Sequence, residues 1–212
     1  MGFKALVDVG GKSLLERAIL NLAPHVDEVV IAIAPEMQNE VKRLLERLSA
    51  FLSVPRNPLG TSVILGGETR QLSVKNLLEA TTTEFVLIHD AARPFLEARV
   101  VRDMLEAVKA HGAATVALKS ADTLISSSGE VWGDLQDRSG TYAIQTPQGG
   151  RRDWLIKAHE QALEGGWTAT DDGGLLALVG RTVHLVRGDS RLFKVTTPED
   201  LEMARALAQF IP

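Results

Sequence analysis

Glu84-Phe85-Val86-Leu87-Ile88-His89-Asp90-Ala91-Ala92-Arg93-Pro94 passes from an unbroken apolar run into an imidazole, an acid, two small residues, an arginine and a chain-breaking proline. A half-exposed strand would alternate apolar with polar residues. Phe85 to Ile88 do not alternate, so they read as a strand of a parallel sheet covered on both faces. Ligands of such sheets gather beyond the carboxyl ends of the strands, which puts Asp90 and Arg93 at the rim of a crevice. A strand exit in which Asp90 caps the next turn and Arg93 pairs with it at the surface explains the segment alone about as well. Its company along the chain decides between the two.

Working outward, apolar runs alternate with helical patterns. Strands are expected at Val29-Ala34, Val63-Leu65, Phe85-His89, Ala114-Leu118 and Val183-Val186. Helices are expected near Leu14-Leu22, Met37-Leu48, Gln71-Ala80, Val100-Ala110, Asp153-Leu163 and Leu175-Val179. This rhythm implies crossovers, hence an α/β fold with a mostly parallel sheet. Thr197-Pro198-Glu199-Asp200 opens a last helix with a cap, a proline and first-turn acids. One stretch breaks the rhythm: Asp122-Thr123-Leu124-Ile125, the turn-forming Ser126 to Gly129 and Glu130 to Leu135 read as a hairpin. We treat residues of about 120–142 as an arm on a single domain of 212 residues. Gly10-Gly11 reads as a tight turn before the first helix.

With 45% hydrophobic and 24% charged residues, the chain can bury one substantial core. A net charge of −4 with scattered basic residues argues against a nucleic-acid surface. No apolar stretch reaches the roughly 20 residues that span a bilayer, and the opening lacks a signal-peptide pattern, so a cytoplasmic location away from membranes is expected. Zero cysteines remove disulfides, thiolate metal sites and cysteine nucleophiles, and the five histidines form no spaced ligand set.

Gly66-Gly67-Glu68-Thr69-Arg70-Gln71-Leu72-Ser73 brings two glycines to the mouth of a short strand before a helix, where backbone can approach a base or a phosphate closely. An ordinary capped turn explains the same residues. Arg70 and Ser73, one turn apart, share a helix face. Thr146-Pro147-Gln148-Gly149 puts a hydroxyl where an extended segment meets a rigid turn, and Thr170-Asp171-Asp172 suits a helix cap. Lys194 sits between Phe193 and Val195, so its ammonium should emerge at an end or a pocket. Lys4, Arg70, Arg93, Arg138 and Lys194 beside Asp90, with no Ser-His-Asp or Cys-His set, suit phosphate chemistry, whose rate comes from cations and in-line positioning. A carboxylate such as Asp90 can also orient magnesium bridging phosphate oxygens.

In order along the chain, Gly67-x-x-Arg70-x-x-Ser73-Val74, His89-Asp90-Ala91-Ala92-Arg93-Pro94, Asp122-Thr123, Asp137-Arg138, Gln145-Thr146-Pro147-Gln148, Thr170-Asp171-Asp172 and Lys194-Val195-Thr196 resemble the 2-C-methyl-D-erythritol 4-phosphate cytidylyltransferase family. The resemblance implies a Rossmann-like, doubly wound sheet of the nucleotide-diphospho-sugar transferase type. It also implies an enzyme that joins a polyol phosphate to CTP with release of pyrophosphate in isoprenoid biosynthesis, using Mg2+. By the same resemblance Lys4 and Lys194 are catalytic, and Gly67, Arg70, Ser73, Asp90 and Ala91 bind the nucleotide, Asp90 also the metal. Arg93, Thr123, Arg138, Thr146 and Thr170 bind the second substrate. Thr123 and Arg138 would reach it across a homodimer built on the arm, whose Leu124, Ile125, Val131 and Trp132 would be buried against a partner.

Two departures from the pattern stand out. The family opens with a strand and a glycine-rich loop ahead of Met-Gly and Pro-Lys, whereas Met1-Gly2 here runs directly into Phe3-Lys4; a chain truly without that strand should have a gap of unpaired backbone inside the sheet, and the expectation is instead that upstream residues are left out of this sequence. Gly150 replaces the family's usual aromatic, which is expected to loosen the substrate wall. Two alternatives share most of the motifs. One is a cytidylyltransferase for another polyol phosphate such as ribitol 5-phosphate. The other, from a different class, is a non-catalytic nucleotide-binding or dimerisation module.

Overall fold

The computed structural model describes residues 3–54, 57–58 and 60–211; Met1-Gly2, where the expected pattern opens, lies outside them. Strands β1 (Asp8–Val9) and β2 (Lys12–Ser13) form the turn expected at Gly10-Gly11, with φ of 65° and 83°, a region that only glycine enters freely. Ser13 accepts the Glu16 amide and so caps α1 (Leu14–Leu22), whose Leu14, Leu15, Ala18 and Ile19 recur at helical spacing and face inward. The alternation then proceeds through β3 (Glu28–Ile33), α2 (Gln38–Leu52), the short pair β4 (Ser53–Val54) and β5 (Asn57–Pro58), β6 (Gly60–Leu65), α3 (Arg70–Ala80), β7 (Phe85–Ile88), α4 (Ala98–His111) and β8 (Ala113–Lys119). The arm follows as an antiparallel hairpin of β9 (Ile125–Ser128) and β10 (Val131–Leu135). After it come β11 (Tyr142–Arg151), α5 (Arg152–Gly165), α6 (Asp172–Leu178), β12 (His184–Arg187) and α7 (Pro198–Leu207), the last opened by a capping box of Thr197 and Asp200.

The main sheet runs β12-β8-β11-β7, and β3 pairs with β6. Both β12–β8 and β3–β6 are parallel, while β11 lies antiparallel between β7 and β8. The bend expected at Thr146-Pro147 is instead a flaw in a continuous strand. Pro147 has no N–H to give, so the β8 ladder stops at Ile144 and resumes in shifted register at Gln148. Helix α4 packs Val100, Val101, Met104 and Val108 on one face of the sheet, and α3, α5 and α6 cover the other with Val74, Leu78, Leu155, Ala158, Leu175 and Leu176. Double cover explains the unbroken apolar run of β7.

Among the described residues no ladder joins β3 to β7; a cavity of about 510 Å³ separates them. Its walls include the consecutive residues Glu28 to Ala32 on one side and Thr83 to His89 on the other, with Leu15 and Ile19 of α1 closing it. Consecutive rather than alternate residues mean that strand edges, not faces, look into the space.

Candidate active site

At the carboxyl end of β7 the chain turns sharply, Arg93 N–H donating to Asp90 O at 2.9 Å, and lifts Asp90 off the sheet. Opposite it, Val195 N–H donates to Ala92 O at 2.8 Å and brings the Lys194 segment alongside. Lys194 Nζ then lies 2.9 Å from Asp90 Oδ2, while Arg70 Nε, on the first turn of α3, lies 3.5 Å from Oδ1. Burial alone would raise the Asp90 pKa, but Lys194, Arg70 and Arg93 outweigh it and hold the carboxyl below its usual range. The Arg70 guanidinium also meets Asp172 Oδ2 at 2.8 Å. Its pKa, which burial lowers, is raised on balance by Asp172 and Asp90.

Behind Asp90 runs a neutral relay. The Asp90 amide donates to Thr146 Oγ1 at 3.1 Å, Thr146 Oγ1 meets His89 Nδ1 at 2.9 Å, and His89 Nε2 meets Arg93 O at 3.1 Å. A carbonyl only accepts, so Nε2 carries the proton, Nδ1 is the acceptor and the Thr146 hydroxyl donates to it. Burial pushes the His89 imidazole down to about 4, which keeps it in this neutral form. Thr146 thus holds the backbone at the cluster, although its own flanks, Gln145 and Gln148, are also buried and bonded.

The Gly66-Gly67 loop abuts this cluster. Gly67 N–H donates to Ser73 Oγ at 3.0 Å, and a Cβ on Gly67 would meet Leu72 Cβ at 2.5 Å, so only glycine lets the loop fold onto α3. Thr69 caps the helix as expected, accepting the Leu72 amide at 3.1 Å. Of the residues singled out from sequence, Gly67, Arg70, Ser73, Asp90, Ala91, Thr146 and Lys194 fall in this one neighbourhood. Arg93 joins it differently: its guanidinium donates to Leu192 O at 2.8 Å and reaches Ile144 O at 3.5 Å, bracing two segments of the rim. Lys4 stands exposed in a 3-10 turn, Lys4–Leu6, with no ion pair among the described residues. Thr123 and Arg138 are exposed on the arm, Arg138 touching Ala121 O at 3.5 Å. Thr170 is exposed ahead of α6.

The expected loosening at Gly150 is corrected by its position. Gly150 sits inside the sheet opposite Val86 and Ala113, and a Cβ there would meet Gly112 O at 2.5 Å, so it faces packed backbone and not the crevice. The cap reading of Thr170-Asp171-Asp172 splits. Asp171 accepts the Gly174 amide at 2.6 Å and caps α6, but Asp172 turns inward to Arg70. Both His89 and Asp172 lie in motifs quoted from the sequence, but neither was given a role there; a polar residue beside a strand end or a cap was the only local signal.

A cation pair on one acid, at a glycine-lined crevice over a strand end, can receive a nucleoside triphosphate and neutralise charge that develops on its phosphates. Known proteins point the same way. The sequence model of the family described as IspD: 2-C-methyl-D-erythritol 4-phosphate cytidylyltransferase matches residues 2–210. The enzyme of that name from Deinococcus radiodurans is 51% identical over 207 residues, covering 98% of this chain and 82% of the relative. The one from Thermus thermophilus is 38% identical over 208 residues, with 98% and 90% covered. The crystal structure of the Thermus thermophilus enzyme superposes with a TM-score of 0.83 at 38% identity over 99% of this chain and 95% of that one. That of 4-diphosphocytidyl-2C-methyl-D-erythritol synthase from Anaerococcus prevotii gives 0.85 at 27% identity over 97% and 93%.

Proposed function

Because the chain belongs to the 2-C-methyl-D-erythritol 4-phosphate cytidylyltransferase family, a family of nucleotidyltransferases, we propose that it couples CTP to 2-C-methyl-D-erythritol 4-phosphate at the crevice over β7. A phosphate oxygen of the polyol phosphate attacks the α-phosphorus of CTP, the bond to the β-phosphate bridging oxygen breaks, and pyrophosphate leaves with that electron pair. The observation that carries this reading is the Lys194–Asp90–Arg70 cluster. Lys194 is 41% exposed, so its ammonium can leave Asp90 for a phosphate without opening the core. Arg70 and the Gly67 loop bind the nucleotide side, while Lys4 supplies a second cation from an exposed position.

Among the described residues no three His, Cys, Asp or Glu side chains converge on a metal position. A lone carboxylate fits magnesium nonetheless, because that ion is commonly held by one or two carboxylates with substrate phosphates and water completing its shell. Asp90 would hold it, and the ion would supply further neutralisation of phosphate charge.

The arm supports a shared site. Trp132 is 69% exposed, and Val131 and Leu135 are comparably bare, more apolar surface than a solvated hairpin of this size carries by itself. A two-fold dimer that buries this patch would bring Thr123 and Arg138 to the partner's substrate phosphate. No helix among the described residues is long and apolar enough to cross a membrane, which supports action in the cytoplasm. The test is pyrophosphate release from CTP with 2-C-methyl-D-erythritol 4-phosphate and with ribitol 5-phosphate as acceptors. Turnover with the first and at least about tenfold less with the second, a gap of roughly 1.4 kcal/mol, is expected. No release with either acceptor rejects the reading.

A further inference from the structure

Arg70 lies between two carboxylates that are held very differently. Asp172 is 2% exposed and held from two sides. Its Oδ2 meets Arg70 at 2.8 Å and its amide donates to Gln148 Oε1 at 2.8 Å, while its Oδ1 stands 3.4 Å from Nε2 of His159, itself 1% exposed in α5, without a hydrogen bond between them. The Gly173 amide donates to the same Gln148 oxygen at 2.9 Å, so β11 grips the start of α6. Asp90, by contrast, stands on a turn at the crevice rim and shares its oxygens with Lys194 and Arg70. The guanidinium belongs to a long, half-buried side chain on the first turn of α3, so the rigid partner is Asp172 and the adaptable one is Arg70.

The two distances are unequal. Arg70 bonds Asp172 at 2.8 Å but stops 3.5 Å short of Asp90. A planar guanidinium left with one carboxylate tends to grip it with two parallel bonds. Here one nitrogen is already committed to Asp172, which prevents that grip on Asp90. An arginine closed on Asp90 would neutralise that acid and turn the guanidinium away from the nucleotide side of the crevice.

We propose that Asp172 is a positioning residue which, its backbone held by Gln148, orients Arg70 so that its guanidinium serves the nucleotide instead of closing on Asp90 with two parallel bonds. The inference rests on the reading of this crevice as a CTP site. Asp172→Asn keeps the shape and removes the charge. Titration calorimetry of CTP should show affinity weakened about 10-fold, the scale of one charge-assisted hydrogen bond, with kcat at saturating CTP changed far less. In an Arg70→Ala background the same substitution should add nothing. A lowered unfolding temperature with CTP affinity intact would make Asp172 merely structural and overturn the proposal, as would additive losses in the double variant. Should Asp172→Asn not fold, Arg70→Lys asks the same question, because an ammonium cannot span both acids; unchanged affinity there overturns the proposal. Unchanged affinity in Arg70→Ala would remove Arg70 from the nucleotide site and the inference with it, whereas failure of the unmodified protein to bind CTP would reject the proposed function itself.

Discussion

Lowering the pH from about 7 to about 4 should destabilise the protein through His89, ahead of its carboxylates. In the fold His89 is neutral with a pKa of about 4, against 6.5 for the free side chain. The unfolded chain therefore takes up a proton as the pH falls through about 6.5 while the folded chain does not, so folding loses free energy across that window and the loss ends near the folded pKa. At about 1.36 kcal/mol per pH unit the total approaches about 3 kcal/mol. His25, which burial also shifts downward, adds to the same slope, so the informative quantity is a difference between proteins. His89→Gln can still donate to Arg93 O and accept from Thr146 but has no proton to gain. Urea unfolding followed by the fluorescence of the three tryptophans, from pH 7 down to pH 4, should give a steeper loss for the unmodified protein than for His89→Gln. Parallel curves would refute the neutral relay. Asp189 and Asp200, both held down to about 2 by hydrogen bonds from Arg191 and Thr196 respectively, contribute stability that is present above the ordinary carboxylate range and lost only on further acidification toward 2, which separates the two windows.

Lys194→Ala should fold normally, since the side chain is partly solvent-facing and Arg70 still attends Asp90, yet lower kcat by on the order of 10²-fold; a variant near the unmodified rate removes Lys194 from the chemistry. Asp90→Asn should raise the magnesium concentration needed for half-maximal rate, because a neutral amide is a weak ligand for a hard cation, and full activity in EDTA would contradict the metal assignment. Mixing Arg138→Ala with Lys194→Ala chains should recover part of the activity, one site of each mixed dimer being intact; mixtures with verified subunit exchange that stay inactive exclude the shared site.

Much of the fold was legible because period and composition speak directly about burial. The run from Phe85 to Ile88 announced a doubly covered strand, and Gly10-Gly11 and Thr69 announced their turn and cap through local chemistry. What stayed hidden depends on partners far away in the chain. Thr146-Pro147 reads locally as a bend, but pairing with β7 and β8 carries the strand through it to Arg151. Asp172 looks like its neighbour Asp171 until the fold brings Arg70, 102 positions earlier, against it. Gly150 looked like a gap in a substrate wall because sequence says nothing of the Gly112 carbonyl behind it. At the site, Arg70, Asp90 and Lys194 were found from sequence and do converge, while the role of His89 as a half-buried neutral link required distances.

The cavity between β3 and β7 bears on how the molecule opens. With no backbone ladder across it among the described residues, the β3–β6 pair is tied to the main sheet through side-chain packing and covalent connections, among them α1 and α3. Amide groups on the facing edges have no ladder partner across the cavity among the described residues, and any kept from water cost about 1–3 kcal/mol each. Hydrogen exchange should therefore divide the chain into two cooperative units, with β3 and β6 releasing their amides at lower free energy than β8 and β11, which are laddered on both sides.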